Sequence, residues 1–267
     1  MSRIAGRFAE ACNAGRAALV AYITAGDPSP DRTPALIAAL ERGGADIIEL
    51  GVPFSDPIAD GPVIQRAADR ALHAGMRVSR VLDIAREVRR HSEVPLVLFS
   101  YLNPLMRYGF ERLAGDSAEI GIDGVLLIDL SVEEAEQHVP VLREHGLDTI
   151  FLATPTSTPQ RLESVGRYSS GFVYLVSRTG VTGERQALSS SVPTLVHSMR
   201  AKTDLPLAVG FGISTPEQAS EVAQVADGVV VGSSFVRVVE ECAGSADLEP
   251  TLEQFTRSIS GAMGKRR

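Results

Sequence analysis

Short apolar runs rich in Val, Ile and Leu alternate with longer segments of helical period along most of the chain. Such runs predict strands, whereas apolar residues that recur every three or four positions predict helices. We expect eight strands, over residues 19–23, 47–50, 96–100, 124–128, 149–152, 172–176, 207–210 and 228–231.

Helical segments are predicted between these strands, and some begin with a recognisable cap. Thr215 precedes Pro216 and Glu217, which places a proline at the first helical position with an acid behind it. The predicted helices are 33–42, 78–90, 111–120, 132–145, 159–169, 192–202 and 216–225. Additional helices are expected at 3–13, 62–72 and 234–238.

Apolar strands that are each followed by a helix pair in parallel and are covered by the helices. Eight such units in 267 residues have the size of a TIM barrel. A doubly wound open sheet is the alternative, although it usually has fewer strands and no GxGxxG follows the first strand. We predict one domain over 1–267, a parallel eight-stranded TIM (β/α)8 barrel. Its extra helices would lie at the N-terminus and in the loops after strands two and eight.

Composition narrows the class of protein. The net charge of −7 and the pI near 5.3 have the wrong sign for a surface that binds nucleic acid. Hydrophobic residues make up 44% of the chain, but no apolar stretch is long enough to span a membrane. Cys12 and Cys242 match no metal-binding spacing and fit a reducing compartment. We therefore expect a cytoplasmic protein without a bound metal.

In a TIM barrel the chemistry takes place at the carboxyl ends of the strands. Lys202 and Lys265 lie elsewhere, so a Schiff-base lysine is not expected. Cys12, Cys242 and the histidines lie in or next to predicted helices, which argues against a thiolate nucleophile, a zinc aldolase and a histidine base. The histidines are His73, His91, His138, His145 and His197.

Carboxylates remain as candidates. Glu49 lies near the end of the second strand among apolar residues, where burial would raise its pKa towards neutrality. Asp60 follows in a loop that contains several prolines and could fold over the barrel mouth. These pKa conditions suit general acid and base catalysis. The alternative is that an arginine pairs with Glu49 and that Asp56 and Asp60 only cap turns.

Glycine-rich loops follow the last three strands, at 180–183, 210–214 and 232–234. Glycine lets backbone N–H groups approach an anion closely, and the last loop opens a short helix whose N-terminus attracts negative charge. This arrangement favours a phosphate monoester at the usual barrel location. The alternative is that these glycines only permit tight turns.

Large apolar residues are predicted at strand ends. Most such residues fill the barrel interior, but a cluster at the rim would suit a flat aromatic substrate. They are Tyr22, Phe99, Leu126, Ile128, Leu152, Tyr174 and Phe211.

Four segments resemble the tryptophan synthase alpha subunit: YITAGDP at 22–28, ELGVPFSDPIADGP at 49–62, SRTGVTG at 177–183 and GFGI at 210–213. The resemblance extends over nearly the whole chain. It implies a TIM barrel that reversibly cleaves indole-3-glycerol phosphate to indole and glyceraldehyde 3-phosphate without a cofactor of its own. It also implies a pyridoxal-phosphate-dependent beta subunit as partner, in an α2β2 assembly in which indole passes through a tunnel.

The resemblance further implies roles for individual residues. Glu49 would shuttle protons, and Asp60 would accept the indole N–H. A lid at 178–186 would close and bring Thr182 onto Asp60. The indole ring would contact Tyr22, Phe99, Leu126, Tyr174 and Phe211. The phosphate would bind Gly183, Gly212, Gly232 and Ser233.

Two positions depart from the family pattern, since Ala21 and Ser131 stand where proline is common. Ser131 lies in a loop that contacts the beta subunit in the family, which leaves open a stand-alone lyase that releases free indole. Two further hypotheses are a subunit that mainly binds and activates a partner and a different phosphate-handling barrel isomerase.

Overall fold

Parallel strands pair in chain order to form the sheet at the centre of the molecule. The computed structural model describes residues 2–176, 191–210 and 212–264. Within them the sheet has nine strands in the order β5-β4-β3-β2-β1-β9-β8-β7-β6. They are β1 Ala18–Thr24, β2 Ile47–Gly51, β3 Leu96–Ser100, β4 Gly124–Leu127, β5 Asp148–Ile150, β6 Leu152–Ala153, β7 Val173–Val176, β8 Leu207–Gly210 and β9 Gly228–Val231.

The strands at the two ends of this order, β5 and β6, are consecutive in the chain and are separated only by Phe151. The fifth predicted strand is therefore split into two pieces, each paired with a different neighbour, and the sheet returns on itself as a barrel. At the split, the Phe151 N–H donates to Ser169 Oγ at 3.3 Å and not to a neighbouring strand. The predicted TIM-barrel architecture is confirmed.

Helices cover the outside of the sheet. They are α1 Arg3–Asn13, α2 Thr33–Arg42, α3 Pro62–His73, α4 Val78–Arg89, α5 Leu102–Tyr108, α6 Phe110–Ile120, α7 Ala135–Glu144, α8 Pro159–Tyr168, α9 Ser191–Arg200, α10 Pro216–Ala223, α11 Ser233–Glu241 and α12 Leu248–Gly261. The extra helices expected at the N-terminus and after strands two and eight are α1, α3 and α11.

Three helical segments differ from the prediction by more than their bounds. The segment expected at 132–145 begins as a 3-10 turn, Val132–Glu134, before α7. The short helix α5 and the last helix α12 were not predicted. Among the described residues no strand follows α12, so the alternation of strand and helix offered no signal for it. Its buried residues include Leu248, Leu252 and Ile259.

The core has two layers because alternate residues of a strand point to opposite faces. Leu19, Ala21 and Ile23 of β1 pack outwards against the helices. Val20 and Tyr22 point into the barrel. The inner layer begins at α1, which closes the amino-terminal end of the barrel, and it reaches a cavity at the carboxyl ends of the strands.

Buried carboxylates at the amino-terminal end have cationic partners. Asp46 accepts two hydrogen bonds from Arg16, at 2.6 and 2.7 Å, and one from the Leu19 N–H at 2.8 Å. Asp123 accepts from Arg89 at 2.8 Å and from Arg3 at 3.0 Å. These contacts tie the starts of the strands to neighbouring segments, so they contribute to stability.

Candidate active site

A cavity of about 180 Å³ opens at the carboxyl ends of the strands. Its wall includes the strand residues Tyr22, Glu49, Phe99, Tyr174 and Val230. The remaining lining residues belong to the loops and helices that follow the strands: Ala59, Asp60, Gly61, Pro62, Val63, Ile64, Ile128, Gly212, Ile213, Ser214, Gly232, Ser233, Ser234 and Arg237. The cavity therefore lies where a TIM barrel holds its active site.

Glu49 enters this cavity because of its position in β2. Its neighbours Ile48 and Leu50 pack in the outer layer, so the alternation of the strand turns Glu49 inwards. The side chain is 1% exposed, and no described residue forms a hydrogen bond with its Oε1. Burial raises the pKa of Glu49 to about 8. The carboxyl is thus protonated in much of the population at neutral pH and can donate a proton and later recover it.

Asp60 lies in the loop between β2 and α3. Its N–H donates to the Pro57 carbonyl at 3.1 Å, and its own carbonyl accepts from Gln65 Nε2 at 2.8 Å. The Tyr101 hydroxyl donates to Oδ2 at 3.0 Å. Burial raises the pKa of Asp60 to about 6, and the hydrogen bond from Tyr101 opposes that rise. Asp60 is therefore largely ionised at neutral pH, whereas Glu49 is largely protonated.

Aromatic rings form one wall of the cavity. The rings of Tyr22 and Phe99 meet edge to face, with centroids 5.1 Å apart. The chain makes room for the phenols with glycine, because a Cβ on Gly51 would overlap the Tyr22 ring and a Cβ on Gly210 would overlap Tyr174. These contacts give the cavity a flat apolar surface suited to an aromatic substrate.

Leu126 lies deeper than predicted. It is fully buried in the inner layer, opposite Phe99 in the register of β3 and β4, and it does not line the cavity. Ile128, two residues further along, lines it instead, because residues two apart in an extended chain share a face. The predicted contact between Leu126 and a substrate ring stays a prediction.

An anion-binding arrangement borders the same cavity. Gly232 is the N-cap of α11 and Ser233 is its first residue, so backbone N–H groups of the first turn are available to a ligand. Gly212 has a φ of +83°, a conformation that favours glycine. Ser234 Oγ donates to the Ile213 carbonyl at 3.2 Å and joins this loop to α11.

Some predicted site residues lie outside the described residues. These are Thr182, Gly183, Phe211 and the predicted lid 178–186. Their roles stay predictions.

A family model described as tryptophan synthase alpha chain matches residues 8–263. The chain belongs to this family. It is 62% identical to the tryptophan synthase alpha chain of Solibacter usitatus over 266 residues, which is 100% of both chains. It is 51% identical to that of Geobacter sulfurreducens over 264 residues, covering 99% of this chain and 100% of the relative.

Solved structures agree with this family. A tryptophan synthase structure from Mycobacterium tuberculosis matches with a TM-score of 0.91 and 39% identity, and the match covers 99% of both chains. The tryptophan synthase subunit alpha of Legionella pneumophila matches with a TM-score of 0.90 and 36% identity over 98% of both chains. The predicted family and the predicted alpha-type lyase function in tryptophan biosynthesis are confirmed, whereas the roles of individual residues remain to be tested.

Sequence reasoning about this tryptophan synthase alpha family member missed an ion cluster behind the cavity. Arg70 of α3 forms two hydrogen bonds with the buried Asp27, at 2.7 and 3.0 Å, and one with Glu240 of α11 at 2.7 Å. Arg66 also binds Glu240, and these arginines lower the Glu240 pKa to about 2. The cluster joins the loop after β1 to two helices. One is α3, which begins beside Asp60, and the other is α11, which begins at the anion site.

Arg237, in the second turn of α11, also lines the cavity and was missed by sequence reasoning. Its position four residues after Ser233, on the same helix face, is the signal that could have identified it. It places a positive charge close to the anion site.

The described residues of this family member contain no group of three or more His, Cys, Asp or Glu side chains that could hold a metal ion. None of its helices, within the same residues, has the length and apolar character needed to cross a bilayer. His73, His138 and His197 lie within helices, and His91 and His145 follow helix ends.

Proposed function

We propose that Glu49 and Asp60 carry the reversible cleavage of indole-3-glycerol phosphate to indole and glyceraldehyde 3-phosphate. The observation that supports this most directly is the presence of two buried carboxyl groups on one aromatic-lined cavity, without a cationic side chain hydrogen-bonded to either among the described residues. The pKa of Glu49 is raised to about 8, as a proton donor at neutral pH requires. The pKa of Asp60 is raised only to about 6, so this group is ionised and can accept a hydrogen bond.

In the proposed reaction, protonated Glu49 donates its proton to the indole carbon that carries the side chain. Positive charge then develops at the ring nitrogen, and the Asp60 carboxylate accepts the N–H and stabilises that charge. Glu49, now ionised, removes the proton from the side-chain hydroxyl. The carbon–carbon bond breaks, its electron pair returns to the ring, and glyceraldehyde 3-phosphate forms. Glu49 ends the cycle protonated, so no cofactor takes part.

Substrate binding is assigned to the cavity wall. The indole ring would contact Tyr22, Phe99 and Tyr174, and the phosphate would accept hydrogen bonds from the backbone at Gly212, Gly232 and Ser233. Thr182, Gly183 and Phe211 complete the proposed set, and Thr182 would close onto Asp60 and exclude water.

A beta subunit that carries pyridoxal phosphate is proposed as the partner, in an α2β2 assembly. Related structures bear the name tryptophan synthase. Among the described residues, the exposed large apolar side chains are Ile58, 82% exposed, and Met106, 49% exposed. Ile58 precedes Asp60 in the loop after β2, and Met106 lies on α5 after β3, so both flank the catalytic end of the barrel. A cytoplasmic location and a single domain over 1–267 belong to the same proposal.

Glyceraldehyde 3-phosphate formation by Glu49→Gln and Asp60→Asn tests this function. Each change should lower turnover at least about a hundredfold, the scale of a lost acid or base. Glu87→Gln, on the exposed face of α4, is the matched control and should retain normal turnover. Near-normal turnover in Glu49→Gln would refute the role of that residue.

The same assay with and without a beta subunit tests the partner. We expect slow cleavage by the isolated chain and faster cleavage in the presence of the beta subunit. High unassisted activity would favour the stand-alone lyase. Binding to the beta subunit without any cleavage would favour a partner-activating subunit.

A further inference from the structure

Tyr101 lies between the end of β3 and the start of α5, and only 3% of it is exposed. Its ring packs against Phe54 of the loop after β2, with ring centroids 5.1 Å apart. The side chain therefore connects β3 to the loop that carries Asp60. It is not among the residues that line the cavity, so it reaches the site only through its contacts.

The Tyr101 hydroxyl makes two hydrogen bonds with adjacent residues. It donates to Asp60 Oδ2 at 3.0 Å and accepts from the Ala59 N–H at 2.9 Å. A backbone N–H can only donate, so the phenol proton is directed at the carboxylate. One hydroxyl thus fixes the backbone just before Asp60 and one of its two carboxyl oxygens. Among the described residues, no hydrogen bond occupies Oδ1.

Charge around the pair maintains this direction of donation. Burial and the neighbouring Asp60 and Asp129 raise the pKa of Tyr101 well above its ordinary value, so the phenol keeps its proton. The hydrogen bond in turn favours the ionised form of Asp60. The other titratable or charged groups on the cavity are Tyr22 of β1, Glu49 of β2, Tyr174 of β7 and Arg237 of α11.

We propose that Tyr101 is a positioning residue for the cleavage reaction, holding Asp60 by Oδ2 so that Oδ1 is presented to the ring N–H of the substrate. The proposal rests on the proposed role of Asp60. It adds that the phenol sets both the orientation and the ionisation of that carboxylate. A side chain that only supported the fold would affect stability but would not change the pH at which the reaction loses activity.

The test compares Tyr101→Phe with Tyr108→Phe in the full-length chain. The first change removes one oxygen and keeps the ring that packs on Phe54. The second removes a comparable phenol, which donates to Asp116 at 2.5 Å outside the cavity. Initial rates of glyceraldehyde 3-phosphate formation are measured over a range of pH, with and without a beta subunit. Thermal unfolding of both variants is recorded.

In Tyr101→Phe the pKa of Asp60 should rise, because the hydrogen bond that favours its ionised form is lost. Asp60 acts as the ionised acceptor, so the acid limb of the kcat profile should move to higher pH by about one pH unit. At neutral pH we expect kcat to fall about tenfold: the pKa rise accounts for about a twofold loss, and the lost orientation of Asp60 accounts for the rest. KM should change little, because the phosphate contacts are intact. The alkaline limb, set by Glu49, and the whole profile of Tyr108→Phe should be unchanged.

Asp60→Asn provides a second readout. If Tyr101 acts through Asp60, adding Tyr101→Phe to Asp60→Asn should cause little further loss, because the two effects are not additive. An unchanged acid limb in Tyr101→Phe, or an equal loss in the Asp60→Asn background, would overturn the proposal while leaving the role of Asp60 intact. Normal turnover in Asp60→Asn alone would overturn the proposed function of that residue and this inference with it.

Discussion

Opposite surroundings distinguish the buried Asp46 and Asp123, at the amino-terminal end of the barrel, from the carboxyl groups that line the catalytic cavity. At the amino-terminal end, Asp46 and Asp123 are each bound by arginine and by a backbone N–H. At the carboxyl end, Glu49 is as deeply buried as Asp46, yet its Oε1 lacks a hydrogen-bond partner among the described residues. The two side chains are three positions apart in the chain.

This contrast separates stability from chemistry. A buried carboxylate that is paired and fully hydrogen-bonded ties segments of the chain together. A buried carboxyl without a cation loses hydration and gains nothing in return, so its pKa rises and it becomes a weak acid near neutral pH. Burial of the unpaired Glu49 thus lowers the stability of the fold, but it provides a carboxyl group that can exchange a proton near neutral pH.

The largest expected effect is the pH dependence of stability due to Glu49. Its pKa rises from 4.5 to about 8 on folding, so its neutral form favours the folded state and this contribution is lost as pH rises through that window. Relative to Glu49→Gln, the wild-type free energy of unfolding should fall by about 5 kcal/mol from acid to alkaline pH. Urea unfolding over this range measures the difference. If the difference in unfolding free energy between the wild type and Glu49→Gln does not change with pH, Glu49 is not a buried, unpaired acid.

Asp46→Ala tests the paired end. The change leaves Arg16 and the Leu19 N–H without their partner, which should cost about 3 kcal/mol of unfolding free energy. Turnover per folded molecule should be unchanged, because Asp46 does not line the cavity. Urea unfolding and the cleavage assay check the two statements. A large loss of turnover at full folding would contradict the separation of the two ends.

Gly51→Ala probes the packing of the catalytic end. The new Cβ would overlap the buried Tyr22 ring, and the strain should lower the free energy of unfolding by about 2 kcal/mol and reduce turnover. Gly6→Ala in α1 is the matched control, since a Cβ there meets nothing within 4 Å. It should stabilise the chain slightly, because alanine favours a helix. Thermal unfolding of both variants measures their stabilities. Equal changes in stability for Gly51→Ala and Gly6→Ala would refute the prediction.

The smallest expected effect concerns the anion site. A valine at position 212 is strained at a φ of +83° and crowds the site, so Gly212→Val should raise the KM for indole-3-glycerol phosphate about tenfold. Steady-state kinetics at saturating and limiting substrate check this. An unchanged KM would count against phosphate binding at this loop.

Sequence patterns predicted the barrel well where local signals were strong. The bounds predicted for β3, β8, β9, α1 and α2 agree with the structure. The burial of Glu49 was expected from its apolar neighbours in a strand. The patterns missed α12, after which no strand follows among the described residues, and the break at Phe151, where the N–H bonds to the distant Ser169.

Contacts between segments that are distant in the chain could not be predicted from local sequence patterns. Tyr101 reaches Asp60 across 41 positions, and Arg70 reaches Glu240 across 170. Neither pair follows a local period or motif. The depth of Leu126 below the cavity was equally hidden, because a pattern shows which face a residue takes but not how far along the barrel the open space begins.

The amino-acid sequence by itself determined the alternation of strands and helices and the acids available for catalysis, because backbone periodicity and burial depend on nearby residues. Only the tertiary structure decided which carboxyl groups receive a cation and which are left without one. That choice depends on packing between remote segments, and it separates stabilising carboxylates, such as Asp46 and Asp123, from the reactive carboxyl groups that line the cavity.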